Sequence, residues 1–190
     1  RIAKARALLK IRDANVVSIY SQFEINVPDS MPHDSISVPK LYALEMEYCD
    51  RGDAEQLQQN YLPRPVPPDL TFAMSSMLSH GCDALHRAGP PGIVHCDLKP
   101  ANLLLKFVRN SCDLKIADFG LCCFEGSPCI GGSDQYMAPE QLEALASDSD
   151  IIVSAGDSRL IHCQMIALSV IFFGYLVIER ISTYILFVRQ

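Results

Sequence analysis

The stretch Ile93-Val94-His95-Cys96-Asp97-Leu98-Lys99-Pro100-Ala101-Asn102-Leu103-Leu104-Leu105 constrains the fold of this chain more than any other. Two apolar runs enclose a polar loop. The runs read as short buried strands bounded by turn-forming residues. A loop pinned at both ends by buried strands has to be rigid, because its own polar groups must find partners there. It carries an acid, a lysine and an amide: Asp97, Lys99 and Asn102. A carboxylate can take a proton from a hydroxyl. An ammonium can neutralise a phosphoryl group in transfer, and an amide oxygen can ligate a hard cation such as Mg²⁺.

Two further motifs follow in order, Asp118-Phe119-Gly120 and Ala138-Pro139-Glu140. Together with HCDLKPAN they resemble the eukaryotic protein kinases, whose catalytic loop has the pattern H-R-D-L-x-x-x-N. Cys96 stands where that family usually has arginine. The resemblance implies an α+β, protein kinase-like fold, mostly the helical C-lobe. A complete kinase domain runs to about 250 residues and this chain has 190, so truncation at both ends is expected. The family transfers the γ-phosphoryl group of ATP to a protein hydroxyl, with Mg²⁺ as cofactor. On that match Asp97 orients the hydroxyl and accepts its proton, Lys99 stabilises the phosphoryl group, and Asn102 and Asp118 hold Mg²⁺. Lys99, two residues after Asp97, fits the serine/threonine class. Ser133 stands where that class carries a threonine whose hydroxyl bonds the catalytic aspartate and lysine. His95 is expected to pack under Phe119. Cys96 cannot make the bidentate, charge-assisted contact that arginine makes with a phosphate on the activation loop. Activity is therefore expected not to depend on phosphorylation there.

Upstream, Ala3 to Ile11 has helical spacing, Asp13-Ala14-Asn15 breaks it, and Val16 to Ile25 reads as a strand. Pro28 to Pro39 is a loop, and Leu41 to Tyr48 alternates as a strand before a turn at Cys49-Asp50-Arg51-Gly52-Asp53. By resemblance this is the end of the small lobe and the hinge. Residues 1–48 are then an N-lobe remnant, 49–142 the C-lobe with the hinge, catalytic loop and activation segment, and 143–190 a divergent apolar region. Met46 becomes the gatekeeper beside the adenine. The backbone of Glu47 and Cys49 would read its edge, Asp53 would lie near the ribose, and Leu104 would support the base from below. The family's small-lobe glutamate position is taken by Lys4 or Ala5. The Gly-rich loop and small-lobe lysine would lie before residue 1. These departures keep open a second reading, a pseudokinase or regulatory binding module.

Ala54 to Asn60 reads as a short helix, and Pro63, Pro65, Pro67 and Pro68 interrupt regular structure. Asp69 is the expected N-cap of a helix to about Arg87, with Leu70, Ala73, Met77, Leu78, Cys82 and Leu85 on its buried side. A strand at Leu103 to Leu105, a turn from Val108 to Asp113 and a strand at Leu114 to Ala117 complete the loop's surroundings.

The formal net charge of -6 and the absence of a basic stripe argue against nucleic acid as a partner. The eight cysteines show no C-x-x-C pair and no histidine at zinc-finger distance. Reduced thiols in the cytoplasm are expected, and no zinc site. Beyond Glu140 the resemblance weakens. Two registers are open for the next family aspartate, one using Asp150 and one placing Gln164 there, and an insertion or a translated intervening segment would account for either. Met165 to Ile178 is an apolar run of 14 residues, shorter than the ~20 a membrane span needs. A buried core helix is the expectation over a membrane segment, because extension to Val188 brings in Glu179 and Arg180.

Overall fold

The structure is a computed structural model that describes residues 2–26, 40–129, 131–137, 141–142, 146 and 151–152. The chain begins with α1 (Ile2–Leu8). The helix stops short of the expected Ile11, as Lys10 and Ile11 turn their amides back to the Ala7 and Leu8 carbonyls. Leu8 and Ile11 both stay in the core. β1 (Ile19–Asn26) pairs antiparallel with β2 (Lys40–Met46). The expected strand start at Val16 moves to Ile19 because Val16 and Val17 serve another partner. Val16 bridges Ile116 in parallel, Val17 N donates to Ile116 O at 2.9 Å, and Ile116 N donates to Asn15 O at 2.8 Å. The expected loop from Pro28 to Pro39 lies outside the described residues.

α2 (Ala54–Tyr61) forms where expected. α3 (Pro68–His86) corrects the N-cap expectation: the cap is Pro67, with proline at the first helical position and Asp69 inside the first turn. Proline suits that position because the amide it lacks would have had no intrahelical partner. Asp69 there complements the positive end of the helix dipole. The buried face is Thr71, Met74, Leu78, Gly81, Cys82 and Leu85, while Leu70, Ala73 and Met77 are only partly covered. The stripe is thus rotated toward Met74 relative to the reading from apolar spacing.

The remaining described strands form antiparallel pairs. β3 (Ile93–Val94) pairs with β6 (Cys123–Phe124), β4 (Leu103–Val108) with β5 (Ser111–Ile116), and β7 (Pro128–Cys129) with β8 (Ile151–Ile152). The turn expected over Val108 to Asp113 narrows to Arg109-Asn110, with Arg109 at φ 55°. Ser111 to Asp113 join β5 because cross-strand pairing continues to Val108↔Ser111. Among the described residues no helix is long and apolar enough to cross a membrane. The apolar run from Met165 to Ile178 lies outside them.

The core gathers Leu8, Ile11, Val16, Ile19, Leu78, Leu85, Ile93, Leu103, Leu114 and Ile116 between α3 and β5. Gly81 sets how closely they meet. A Cβ there would lie 2.6 Å from the Asn15 carbonyl oxygen and 2.8 Å from Ile116 Cδ1. Buried Asn15 also donates its side-chain amide to Leu114 O at 2.9 Å, so the 15–17 segment and β5 lock under the helix.

Gly81→Ala is expected to lower stability by about 1–3 kcal/mol through overpacking. Ser79→Ala on the exposed side should stay within about 0.5 kcal/mol of the parent. Denaturant unfolding checks both, and equal midpoints for the two variants would contradict the close approach.

Candidate active site

The loop between β3 and β4 is held by its own polar groups. Asp97 is 7% exposed, and both of its carboxylate oxygens have partners. Oδ1 accepts from Ser133 N at 2.9 Å. Oδ2 pairs with Lys99 Nζ at 3.0 Å and accepts from Asn102 Nδ2 at 3.2 Å. Burial alone would raise this carboxyl, but the Lys99 ammonium and the Ser133 hydroxyl and amide outweigh it, so the pKa lies below the ordinary aspartate value. Lys99 Nζ also donates to Ser133 Oγ at 2.9 Å, closing a ring of Asp97, Lys99 and Ser133. The structure therefore brings together the catalytic residues expected from the sequence, and it reaches Ser133 across 36 positions of chain.

Asn102 belongs to a short 3₁₀ turn, Pro100–Asn102. Its Nδ2 donates to Asp97 O at 2.8 Å as well as to the carboxylate. With the nitrogen committed, the side-chain oxygen is the atom Asn102 can offer a cation. Its carbonyl accepts from Ala117 N at 2.9 Å, which ties the loop to the residue before Asp118. His95 makes a second tie. Its Nε2 bonds Ala117 O at 2.8 Å, and Asp97 N donates to its Nδ1 at 3.3 Å. Such partners suit the neutral tautomer with the proton on Nε2, and burial lowers the pKa in the same sense. The His95 ring lies 5.5 Å from the Phe119 ring, as expected. Asp118 is exposed, at φ 59°, and its Oδ1 accepts from Gly120 N at 3.2 Å. Two oxygen-donor side chains, an amide and a carboxylate, fit the hard-cation chemistry of Mg²⁺.

The hinge residues are placed less uniformly. Glu47 N donates to Ser18 O at 2.8 Å, which leaves the Glu47 carbonyl as its backbone group for a flat base. Cys49 is half-buried, and Met46 at the end of β2 is exposed. Residues 51–53 run beside β4: Arg51 N donates to Leu105 O at 3.0 Å, Leu105 N to Gly52 O at 2.9 Å, and Asp53 bridges Leu104. Half-buried Leu104 therefore sits directly against the hinge segment. Asp53 Oδ1 caps α2, accepting from Gln56 N at 2.8 Å, a local role that the sequence reading did not assign it.

The Glu47 side chain holds a second charge cluster that sequence reasoning missed. Its carboxylate meets Lys106 Nζ at 2.7 Å and Lys115 Nζ at 3.0 Å, and it accepts from Ser18 N at 3.1 Å. Burial raises its pKa, and the two lysines and the Ser18 amide bring it below the usual value. The available signal was a lysine inside each of two apolar strands, Leu-Leu-Leu-Lys-Phe and Leu-Lys-Ile. Pairing of Leu104 with Lys115 puts Lys106 and Lys115 on one face of the hairpin.

Two stability predictions follow from these charges. Because the folded pKa of Asp97 is depressed, its contribution is complete above the unfolded value near 3.8 and is lost as pH falls through the lower folded value. Asp97→Asn should flatten the stability profile across that acid window, read by denaturant unfolding at each pH. Glu47→Leu leaves Lys115, whose side chain is 6% exposed, without its carboxylate. The expected cost is about 3 kcal/mol, measured the same way.

Comparison with known proteins places this geometry. Residues 3–156 match the profile described as protein kinase domain. The serine/threonine-protein kinase ksp1 of Schizosaccharomyces pombe is 35% identical over 144 residues, 73% of this chain and 27% of that protein. The interferon-induced, double-stranded RNA-activated protein kinase of Mus musculus is 31% identical over 149 residues, again 73% of this chain and 27% of its own length. The serine/threonine-protein kinase ATG1c of Arabidopsis thaliana is 34% identical over 157 residues, 79% of this chain and 21% of that one. The chain thus spans about a quarter of the length of these relatives. The crystal structure of the Mycobacterium tuberculosis PknI kinase domain superposes with a TM-score of 0.59 at 20% identity, covering 89% of this chain and 54% of PknI's. The sequence match across most of the chain, the shared fold and the ordered Asp97 loop lead to one conclusion: the chain belongs to the protein kinase domain family.

Proposed function

We propose that this chain carries the phosphoryl-transfer site of a serine/threonine protein kinase, with ATP as donor and a protein Ser or Thr hydroxyl as acceptor. The observation that carries this reading is the closed ring of Asp97, Lys99 and Ser133. The acceptor hydroxyl donates to the Asp97 carboxylate, which orients its oxygen at the phosphorus. A carboxylate held below its usual pKa is a weak base, so it takes the proton late, as the new O–P bond forms and the bond to the ADP oxygen breaks. Lys99 keeps an ammonium beside Asp97 and neutralises the charge of the moving phosphoryl group. Ser133 fixes both, accepting from Lys99 through Oγ and donating to Asp97 through its amide. Asn102 and Asp118 would hold Mg²⁺, which when bound neutralises the phosphates.

For the base, the Glu47 carbonyl and the Cys49 backbone read the adenine edge, with Met46 beside it and Leu104 below. The Asp53 oxygen not engaged in capping α2 faces the ribose. The division into residues 1–48, 49–142 and 143–190 belongs to the same reading. The same reading places the protein in the cytoplasm.

Calorimetry of ATP binding with and without Mg²⁺ tests the site, with Asp118→Asn as control. Mg²⁺-dependent binding that is lost in the control is expected. Phosphate transfer to serine and threonine peptides should fall about 10²–10⁴-fold in Asp97→Asn. No ATP binding by the folded chain would overturn the proposal. Binding without transfer by the intact protein would favour a regulatory binding module instead.

A further inference from the structure

Three cysteines from three separate segments converge on one point. Cys96 lies in the catalytic loop, Cys123 in β6 and Cys129 in β7. Their Sγ atoms all lie within 4.8 Å of one another, and those of Cys96 and Cys123 are 3.4 Å apart. All three residues are buried, at 1%, 7% and 8% exposure. The spacing of these residues in sequence gives no zinc motif, and the expectation of no zinc site rested on that spacing. The fold supplies the grouping instead. Pairing of Val94 with Cys123 sets β6 beside β3. Cys96, two residues beyond Val94, takes a left-handed φ of 66°, a conformation that costs a non-glycine residue about 1 kcal/mol.

We propose that Cys96, Cys123 and Cys129 form a binding site for a thiophilic d¹⁰ cation of the Zn²⁺ class, tying the activation segment to the catalytic loop. Tetrahedral zinc with Zn–S bonds of about 2.3 Å holds its sulfurs about 3.8 Å apart and sits above their plane. Cys96 Sγ and Cys123 Sγ are 3.4 Å apart and every separation is under 4.8 Å, so a cation enters with small side-chain adjustments. Binding replaces the thiol protons, which pass to solvent, by metal–sulfur bonds. A fourth position is left for water. Gln141, 2% exposed, donates Nε2–H to Cys129 Sγ at 3.6 Å. Amide donors of this kind orient thiolate ligands from outside the coordination shell. Ordinary thiol packing buries cysteines as small neutral side chains singly, whereas here three segments bring three sulfurs within 4.8 Å of one another.

The site has a structural consequence. Cys96 occupies the position where the family's arginine would meet an activation-loop phosphate. A metal held there by Cys123 and Cys129 makes the same connection, between the same two segments, without a phosphate.

The test uses the full chain, reduced with a non-thiol reductant and stripped with a chelator. Cd²⁺ titration reads the sulfur-to-metal charge-transfer band, and Zn²⁺ is measured by competition with a chromophoric chelator. One equivalent of each is expected, with the band intensity of three thiolates. Cys96→Ser, Cys123→Ser or Cys129→Ser should weaken binding about 100-fold or more, and Cys112→Ser at the exposed end of the hairpin should not. Because a core serine can unfold the chain, a complementary variant carries alanine at the buried Cys82 and Cys122 and serine at Cys49, Cys112 and Cys163, and keeps the three. It is expected to bind one equivalent when circular dichroism shows it folded. Folded protein that binds no metal, that binds equally in Cys96→Ser, or that yields a Cys96–Cys123 disulfide in place of a metal site would overturn the proposal. None of these readouts depends on phosphoryl transfer.

Discussion

The buried carboxylate of Asp97 is the constraint around which the rest of this structure is arranged. An ionised carboxylate taken out of water costs several kcal/mol unless its lone pairs are matched. Here they are matched by an ammonium, a side-chain amide and a backbone amide. Each donor comes from a segment that other forces hold: Lys99 and Asn102 from the loop itself, and Ser133 from the chain that returns past β7. Satisfying one charge therefore fixes the relative positions of two distant parts of the chain. The same arrangement leaves the carboxylate ionised and aimed, which is what hydroxyl activation needs.

The loop is anchored from below by one backbone bond and one imidazole bond. Asn102 and His95 both bond Ala117, one to its amide and one to its carbonyl. Ala117 immediately precedes Asp118, so the expected metal ligand inherits its position from the catalytic loop. Leu105 exchanges bonds with Gly52 and Arg51, which ties the hinge segment to the same hairpin. Under this frame Gly81 lets α3 close on Asn15 and Ile116. The hinge segment, Asn102, Asp118 and Asp97 thus all adjoin one pair of strands, β4 and β5. Displacement of one would move the others.

Much of this was legible in the residues. The order Asp97, Lys99, Asn102, Asp118 and the apolar runs around it specify a strand-loop-strand unit, because apolar patterning and turn chemistry are local properties of the chain. His95 under Phe119 followed from the same motifs. Features that depend on pairing were misread. Val16 was assigned to β1 because β-branched residues suit any strand, and only its bridge to Ile116 shows which sheet claims it. The hairpin turn is narrower than its polar residues suggest, because Ser111 to Asp113 pair across to Lys106 to Val108. Asp69 resembles a cap although Pro67 holds that position, since both signals for a helix start occur side by side in Pro67-Pro68-Asp69.

Sequence alone determined the chemistry that a contiguous loop can display: an acid, a lysine and an amide held between buried strands, and through them the family. Tertiary structure alone decided which distant groups complete each site. Lys106 and Lys115 close on Glu47, and Cys123 and Cys129 close on Cys96. The physical reason is the range of the interactions. Periodicity and turn preference act over a few residues and are written in the order of the chain. Charge neutralisation and sulfur clustering act through space, between residues that only strand pairing and the burial of α3 bring within a few ångströms.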